Sequence, residues 1–152
     1  MVKMEHGKDT VTSSFDYLID SDVFVGMFLP NDSLFRHVQR VFHDLKINEK
    51  RTATTNWVIA ETATVLSNKD SQQTAIKFLS MIDEGDIPIL PVTEDLESDT
   101  HRIFREQTTK RTSMVDCSNV AVALHYSIPD LLAFDQFYTR FGYQVQKVML
   151  PE

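Results

Sequence analysis

A chain of 152 residues with 42% hydrophobic and 24% charged residues has the size and composition of one globular domain. A single cysteine excludes an internal disulfide and points to a reducing compartment, and a net charge of −7 argues against nucleic-acid binding by bulk charge alone. No apolar stretch reaches the roughly 20 residues needed to span a bilayer, so we expect a cytoplasmic protein without membrane association.

The N-terminal segment MVKMEHGKDTVTSS (1–14) is polar and has no apolar signal core. We expect it to be a short tail. No low-complexity stretch or Pro/Gly/Ser linker follows it. The remaining residues, 15–152, are therefore predicted to form a single domain.

From residue 15 onward, short apolar strands alternate with amphipathic helices. The first strand, FDYLID (15–20), is dense in apolar residues, as in a strand covered on both faces. The pattern predicts, in chain order, a strand at 15–20, a helix at 33–45, a strand at 51–55, helices at 56–67 and 71–83, a strand at 87–92, helices at 93–107 and 116–127, a strand at 131–134, a helical turn at 136–141 and a strand at 143–150. Helical connections between strands imply right-handed crossovers and a parallel sheet. The predicted fold class is α/β, a three-layer α/β/α sandwich with a central, mostly parallel sheet.

Two acidic residues stand at the carboxyl ends of predicted strands. Asp20 ends the first strand, and Asp135 directly follows the strand LLAF. Ligands of open α/β sheets bind in the crevice beyond the carboxyl ends of the strands. If the two strands are neighbours, both carboxylates face the same crevice.

Two further acids fit this crevice, although each acid has a simpler explanation. Glu61 lies in the otherwise apolar or small run WVIAETATVL, which is a poor setting for an unpaired charge, and Asp116 opens the helix DCSNVAVALHYS. Glu61 could instead face solvent, and Asp116 could be an N-cap. Asp22 could cap a short helix after the first strand, and Asp135 could cap the turn at 136–141.

Carboxylates that converged in one crevice would repel each other unless a cation were bound. A hard divalent ion such as Mg²⁺ or Mn²⁺ takes oxygen ligands and can activate water for attack on phosphorus. The histidines are scattered without metal-binding spacing, and Cys117 has no base at a recognisable distance in the sequence. The absence of a Gly-rich phosphate loop argues against ATP and dinucleotide cofactors.

Four segments resemble the PIN-domain ribonucleases of the stand-alone kind found as toxins of VapBC-type toxin–antitoxin pairs. The segments are LIDSDVF, TNWVIAETATVL, TSMVDCSNVAVAL and IPDLLAFDQFYTRFGYQV, and together they cover nearly the whole chain. The resemblance implies that the four catalytic acids are Asp20, Glu61, Asp116 and Asp135. One departure is Asp22, where the family usually has Asn. This extra acid could also be a metal ligand, and it leaves open whether one or two ions are bound.

The same resemblance implies an Mg²⁺- or Mn²⁺-dependent endonuclease that hydrolyses RNA. It also implies a homodimer and a small antitoxin protein as a partner. In the mechanism that we expect, the acids hold the metal and a water attacks a backbone phosphate. Candidate substrate contacts are two serines beside the acids and three cations, namely Ser21, Ser113, Lys110, Arg111 and Arg140. The cations could equally be solvated surface residues.

Two alternatives remain open at the level of sequence. The stretch DSDVF also fits a haloacid-dehalogenase-like phosphatase, in which Asp20 would be the nucleophile and Asp22 the acid/base. Alternatively, the chain could be a non-catalytic module that binds RNA or protein.

Overall fold

A computed structural model of the protein describes residues 14–145. Its strands are β1 (Tyr17–Ile19), β2 (Thr52–Thr55), β3 (Ile89–Leu90) and β4 (Asp130–Leu132). Its helices are α1 (Ser21–Phe28), α2 (Phe35–Ile47), α3 (Asn56–Lys69), α4 (Gln72–Glu84), α5 (Glu94–Arg105), α6 (Met114–His125) and a 3₁₀ helix (Gln136–Phe141). Within residues 14–145, each helix is too short or too polar to span a lipid bilayer.

The strands form one parallel sheet in the order β3-β2-β1-β4. In the register of the sheet, Tyr17 of β1 pairs with Thr52 on one side and with Asp130 on the other. The strands that precede Asp20 and Asp135 are therefore neighbours. Parallel neighbours end at the same edge of a sheet, which places the two acids in the same part of the molecule.

Successive residues of the central strands point to opposite faces of the sheet and enter two separate hydrophobic clusters. Leu18 and Leu131 pack on one face, against α5, α6 and the 3₁₀ helix. Ile19 and Leu132 pack on the other face, against the helices from α1 to α4. The four side chains are fully buried. This two-sided burial confirms the predicted α/β/α class with a parallel sheet.

The observed elements differ from the predicted ones mainly at their ends. The eight-residue helix α1 was not assigned from the periodicity, and it begins directly after Asp20, whose carboxylate accepts a hydrogen bond from the N–H of Ser21. The predicted edge strand at 87–92 shortens to β3, because prolines flank it and cannot donate to the sheet. Helix α6 begins two residues earlier than predicted because Ser113, and not Asp116, is its N-cap.

Two predictions concern the ends of the chain. The tail predicted at 1–14 lies, apart from Ser14, outside the described residues. Of the strand predicted at 143–150, residues 143–145 are not in a strand, and 146–150 lie outside the described residues. Tyr143 nevertheless packs into the core on the side of α6.

Candidate active site

A cleft of about 370 Å³ lies at the carboxyl edge of the sheet, where β1 and β4 end. The cleft brings together all five acids singled out from the sequence. They come from the turn after β1, from α1, α3 and α6, and from the turn after β4. Their side chains line the cleft: Asp20, Asp22, Glu61, Asp116 and Asp135.

Asp20 occupies the centre of this arrangement and is only 2% exposed. Its Oδ1 accepts hydrogen bonds from the N–H of Ser21 at 2.7 Å and from Nδ2 of Asn119 at 3.0 Å. Its Oδ2 accepts a hydrogen bond from the hydroxyl of Tyr138 at 2.7 Å. Every donor is neutral, so the charge of Asp20 is solvated by dipoles without being neutralised by a cation.

Asp22 lies in the first turn of α1 and faces the end of β4. Its Oδ2 accepts a hydrogen bond from the N–H of Phe134 at 2.9 Å, while its buried Oδ1 has no hydrogen-bond partner among residues 14–145. Burial raises the pKa of Asp22 to about 6, and the charges of Asp135 and Asp116 add to the rise. An unsatisfied, buried carboxylate oxygen beside other acids is costly unless a cation or a proton reaches it.

We predict that Asp22→Asn stabilises the protein near pH 8 in the presence of a metal chelator. The amide can keep its oxygen toward the N–H of Phe134, and the repulsive charge is removed. Because the pKa of Asp22 is raised in the folded state, the charge destabilises the fold only as the pH rises through about 6. The expected gain is on the order of 2 kcal/mol, or about 4–8 °C in the unfolding midpoint measured by circular dichroism.

The control for this prediction is the same comparison below about pH 4, where the carboxyl group is protonated in both the folded and the unfolded state. There the two midpoints should agree closely. If the variant is as stable as the wild type near pH 8, or less stable, the charge of Asp22 does not destabilise the folded protein.

Glu61 is held in the cleft by a residue that follows Asp20 directly. It projects from the second turn of α3, and its Oε2 accepts a hydrogen bond from Oγ of Ser21 at 2.5 Å. The carboxylate is therefore half-buried and oriented, and it does not face open solvent. Ser21 lines the cleft, and its hydroxyl donates to the carboxylate of Glu61; its predicted contact with the substrate stays a prediction.

Asp116 reaches the cleft from the first turn of α6. Oγ of the N-cap residue Ser113 accepts a hydrogen bond from the N–H of Asp116 at 2.9 Å, which leaves the carboxylate of Asp116 free of a capping role. The interpretation of Asp116 as an N-cap is therefore wrong. Its Oδ1 lies 3.2 Å from the hydroxyl of Tyr138, so the same phenol contacts two of the acids.

Asp135 has two functions in the local structure. Its Oδ1 accepts a hydrogen bond from the N–H of Phe137 at 2.9 Å, so Asp135 caps the 3₁₀ helix. This is the capping role that the sequence offered as the simpler explanation for Asp135. It also lines the cleft, where its charge contributes to the raised pKa of Asp22 and of Asp116. Capping and participation in the acidic cluster are therefore compatible.

Burial and mutual repulsion make the acids of the cluster harder to ionise. Desolvation is the largest cause of the rise in the pKa of Asp20 to about 7, and the charge of Asp22 is the next. Desolvation likewise raises the pKa of Asp116 to about 7, followed by the charges of Asp20 and Asp135. Carboxyl groups with a pKa near neutrality are rare on protein surfaces and common at functional sites.

The donor atoms of the cleft fit a hard divalent cation. Its acids offer carboxylate oxygens, the ligands that Mg²⁺ and Mn²⁺ prefer, and Oδ1 of Asp22 is an unsatisfied acceptor among them. As placed, no three His, Cys, Asp or Glu side chains of the described residues already form a metal-binding cluster. Binding of an ion would therefore draw the carboxylates closer together.

The predicted cations do not line the cleft. Lys110 and Arg111 are exposed in the turn that precedes Ser113, and the guanidinium of Arg140 lies 5.9 Å from the centre of the Phe137 ring. Among the described residues that line the cleft, the basic side chain is Lys69, at the end of α3. It follows Glu61 by eight residues, about two helical turns, and so lies on the same side of the helix.

Sequence reasoning missed two neutral residues that contact the acids. Tyr138 and Asn119 are fully buried and bond to Asp20. Asn119 is a polar residue in the apolar run of α6, and this signal could have identified it. Tyr138 lies between other aromatic residues in QFYTRF, and nothing in that context distinguishes it from a core side chain.

Two other chemistries receive no support from the structure. Cys117 is buried, and desolvation, followed by the charge of Asp116, raises the pKa of its thiol to about 11, which keeps it protonated and unreactive. In the phosphatase alternative Glu61 would have no role, yet Oγ of Ser21 holds its carboxylate in the same cleft as Asp20. This geometry argues against the phosphatase alternative.

Residues 17–142 match the family model of the PIN domain. Comparison with curated protein sequences gave no match. Among solved structures, the toxin VapC20 of Mycobacterium tuberculosis, described as cleaving the sarcin–ricin loop, is similar with a TM-score of 0.75 and 20% identity, over 84% of this chain and 96% of that one.

Two toxin–antitoxin complexes are also similar in structure. One is from Klebsiella pneumoniae, with a TM-score of 0.60 and 13% identity over 89% of this chain and 99% of the other. The other is VapBC2 from Rickettsia felis, bound to a DNA fragment from its promoter, with a TM-score of 0.62 and 11% identity over 86% and 96% of the two chains. At these identities the likeness concerns the fold.

Proposed function

The chain belongs to the PIN-domain family, and from this premise we propose that it is a divalent-cation-dependent endoribonuclease that acts as the toxin of a toxin–antitoxin pair. The observation that carries the proposal is the meeting of five carboxylates in one cleft, with the pKa of Asp20 and of Asp116 raised to about 7. Repulsion between the carboxylates of such a cluster destabilises the fold, so stability does not explain why they are together. Their oxygens are the ligands that Mg²⁺ and Mn²⁺ prefer.

In this proposal the acids that line the cleft hold the cation: Asp20, Asp22, Glu61, Asp116 and Asp135. When bound, a divalent ion supplies a polarised water and charge stabilisation for in-line attack on a phosphodiester. The number of ions, one or two, depends on whether Asp22 takes part, because its buried Oδ1 has no hydrogen-bond partner among residues 14–145.

The remaining polar residues orient the acids and attract the substrate. Oγ of Ser21 donates to Glu61 and fixes the rotation of that carboxylate. Ser113 satisfies the first turn of α6 and so keeps Asp116 directed into the cleft. Lys69 offers a positive charge at the far end of the cleft, where an RNA backbone can enter. Lys110, Arg111 and Arg140 remain candidates for contacts with RNA outside the cleft.

We predict that Lys69→Gln weakens RNA binding without affecting the chemical step. The KM for RNA should rise several-fold while kcat stays close to the wild-type value, because a phosphate contact away from the reacting atoms stabilises ground state and transition state alike. The slope of log KM against log salt concentration should fall by about 0.7, as expected when one contact to single-stranded nucleic acid is lost.

The control variant is Lys77→Gln, which removes another exposed lysine, from α4 and outside the cleft. It should keep the KM and the salt dependence of the wild type. If Lys69→Gln behaves like this control, the far end of the cleft is not the path of the substrate.

The proposed partners follow from the solved neighbours. Two of them are toxin–antitoxin complexes, which supports an antitoxin protein as the inhibitor of this chain. A homodimer is part of the same proposal. Co-expression with the product of the adjacent gene, followed by affinity purification and size-exclusion chromatography with light scattering, tests both points.

The direct test of the activity is cleavage of end-labelled RNA by the purified protein, with and without Mg²⁺ or Mn²⁺. The substrates should include a sarcin–ricin-loop hairpin, as named for the Mycobacterium tuberculosis neighbour, and unrelated single-stranded RNA. We expect cleavage that a chelator abolishes and that Asp116→Asn removes, while Asp99→Asn on the exposed face of α5 cuts normally. Equal activity of wild type and Asp116→Asn would refute the proposed site. No cleavage of any RNA with either ion would refute the proposed activity and favour a non-catalytic module.

A further inference from the structure

Two buried, neutral side chains, Tyr138 and Asn119, form hydrogen bonds with the acids Asp20 and Asp116. The hydroxyl of Tyr138 lies 2.7 Å from Oδ2 of Asp20 and 3.2 Å from Oδ1 of Asp116. Nδ2 of Asn119 lies 3.0 Å from Oδ1 of Asp20 and 2.9 Å from the hydroxyl oxygen of Tyr138. The side chains of both residues are completely inaccessible to solvent.

The hydrogen atoms available to this pair determine its arrangement. The amide of Asn119 has two N–H groups, one for Oδ1 of Asp20 and one for the oxygen of Tyr138. Once its oxygen accepts from Asn119, the phenol turns its single O–H toward the carboxylates, with Oδ2 of Asp20 as the nearer acceptor. Asp20 is therefore held at both oxygens, and its plane is fixed relative to Asp116.

The polar atoms of the pair are not needed to fill the core. Tyr138 packs edge-on against Phe137, with ring centres 5.4 Å apart, and a phenylalanine would present the same ring surface. An apolar side chain could also fill the position of Asn119, because its neighbours in α6 are apolar or small. Oδ1 of Asn119 has no hydrogen-bond partner within residues 14–145. Burying an unsatisfied amide oxygen is destabilising, so the amide is better explained by what it donates than by packing.

We propose that Tyr138 and Asn119 are positioning residues that orient the carboxylates of Asp20 and Asp116 relative to each other for the binding of a divalent cation. The inference rests on the proposed metal-dependent function and extends it to two residues behind the acids. Partners of metal-binding carboxylates set the orientation of those carboxylates, and their removal typically weakens metal affinity about 10- to 100-fold. The hydroxyl of Tyr138 remains a donor throughout, because burial and the nearby acids raise its pKa well above 10.

The test is the affinity of the full-length protein for Mn²⁺, measured without RNA from the loss of the electron paramagnetic resonance signal of free Mn²⁺. Tyr138→Phe removes only the hydroxyl, and we expect its Kd for Mn²⁺ to be about 10- to 100-fold weaker than that of the wild type. Asn119→Leu removes both donors and should weaken binding in the same direction. The matched control is Tyr143→Phe, which alters a buried tyrosine of the same hydrophobic cluster and should bind Mn²⁺ like the wild type.

Thermal unfolding of each variant separates positioning from packing. A merely structural role would lower the unfolding midpoint of Tyr138→Phe and leave its Kd within about twofold of the wild-type value, and that result would overturn the inference. If the wild type itself binds no Mn²⁺, the inference fails together with the metal dependence. Cleavage of RNA by the wild type separates failure of the positioning role from failure of the proposed function. If the wild type cuts RNA with Mn²⁺ and Tyr138→Phe binds Mn²⁺ normally, the positioning role is refuted and the nuclease function stands.

Discussion

Asp20→Asn is expected to lose RNA cleavage by at least about 10²- to 10³-fold and to unfold at a higher temperature than the wild type. The loss of activity follows from the central position of Asp20 among the acids. The gain in stability follows from its burial, because the side chain is 2% exposed and its pKa is raised to about 7. At pH values above 7 the fold therefore maintains a buried negative charge that the unfolded chain would expose to water.

The amide of the variant can reuse the existing hydrogen bonds. Its oxygen can accept from Ser21 and Asn119, and its NH₂ group can donate to the hydroxyl of Tyr138, which is then free to donate to Asp116. We expect a stabilisation of about 2–4 kcal/mol near pH 8 in the presence of a chelator. Circular dichroism melting and the RNA cleavage assay measure the two effects on the same preparation.

The matched control is Asp99→Asn, which removes an exposed carboxylate from α5. It should change neither quantity appreciably. An Asp20→Asn protein that is inactive and also less stable would indicate a structural role for Asp20, and one that retains full activity would remove it from the active site.

The second large effect is a fall in the stability of the wild type as the pH is raised from about 4 to about 8 in a chelating buffer. Asp20, Asp22 and Asp116 all have a pKa above the unfolded value of 3.8, so the folded state binds more protons than the unfolded state between these pH values. Their favourable contribution is complete below about pH 4, and it is lost as the pH rises through about 6 to 7. For Asp20 alone the loss is on the order of 4 kcal/mol, or about 8–16 °C in the unfolding midpoint.

Divalent cations should reverse this loss. Saturating Mg²⁺ or Mn²⁺ is expected to raise the midpoint near pH 8 and to have little effect near pH 4, where protons occupy the acids. The pH series is best read as the difference between wild type and Asp20→Asn, because titrating groups outside the acidic cluster then cancel and the difference reports Asp20 together with the acids that it perturbs. A difference that stays constant between about pH 4 and pH 8 would show that Asp20 is not perturbed in the folded protein.

The convergence of the acids could be predicted from the sequence because it depends on a general property of parallel sheets. Asp20 and Asp135 each follow a short apolar strand, and carboxyl ends of neighbouring strands meet at one edge. Glu61 could be recognised because a charge in an apolar helical run needs a partner, and the structure gives it Ser21. The layer architecture followed from the alternation of strands and helices.

Local capping could not be decided from residue type alone. Ser113 and Asp116 are both good N-cap residues, three positions apart, and the sequence gives no measure of which one begins the helix. The structure uses Ser113 and so frees the carboxylate of Asp116 for the cleft. Asp135 shows the opposite case, in which one carboxylate both caps a helix and lines the cleft.

The surroundings of the acids were beyond the reach of sequence patterns because they depend on contacts between distant residues. Asn119 and Tyr138 lie 99 and 118 positions from Asp20, yet both bond to it. Lys69 lines the cleft because α3 extends along it, although Lys69 is eight residues from Glu61 in the sequence. Lys110 and Arg111 are close to Asp116 in the sequence but do not line the cleft. Sequence proximity is thus a poor guide to which cation faces the cleft.

The proposed nuclease activity requires the carboxylate cleft to be a site for a divalent cation. Isothermal titration calorimetry of the wild type with Mn²⁺ near neutral pH tests this claim most directly, with Asp116→Asn and Asp99→Asn measured in parallel. We expect saturable binding by the wild type and by Asp99→Asn, and a large loss of affinity in Asp116→Asn. Absence of saturable binding by the wild type, or equal binding by Asp116→Asn, would show that the cleft is not a cation site built on these acids.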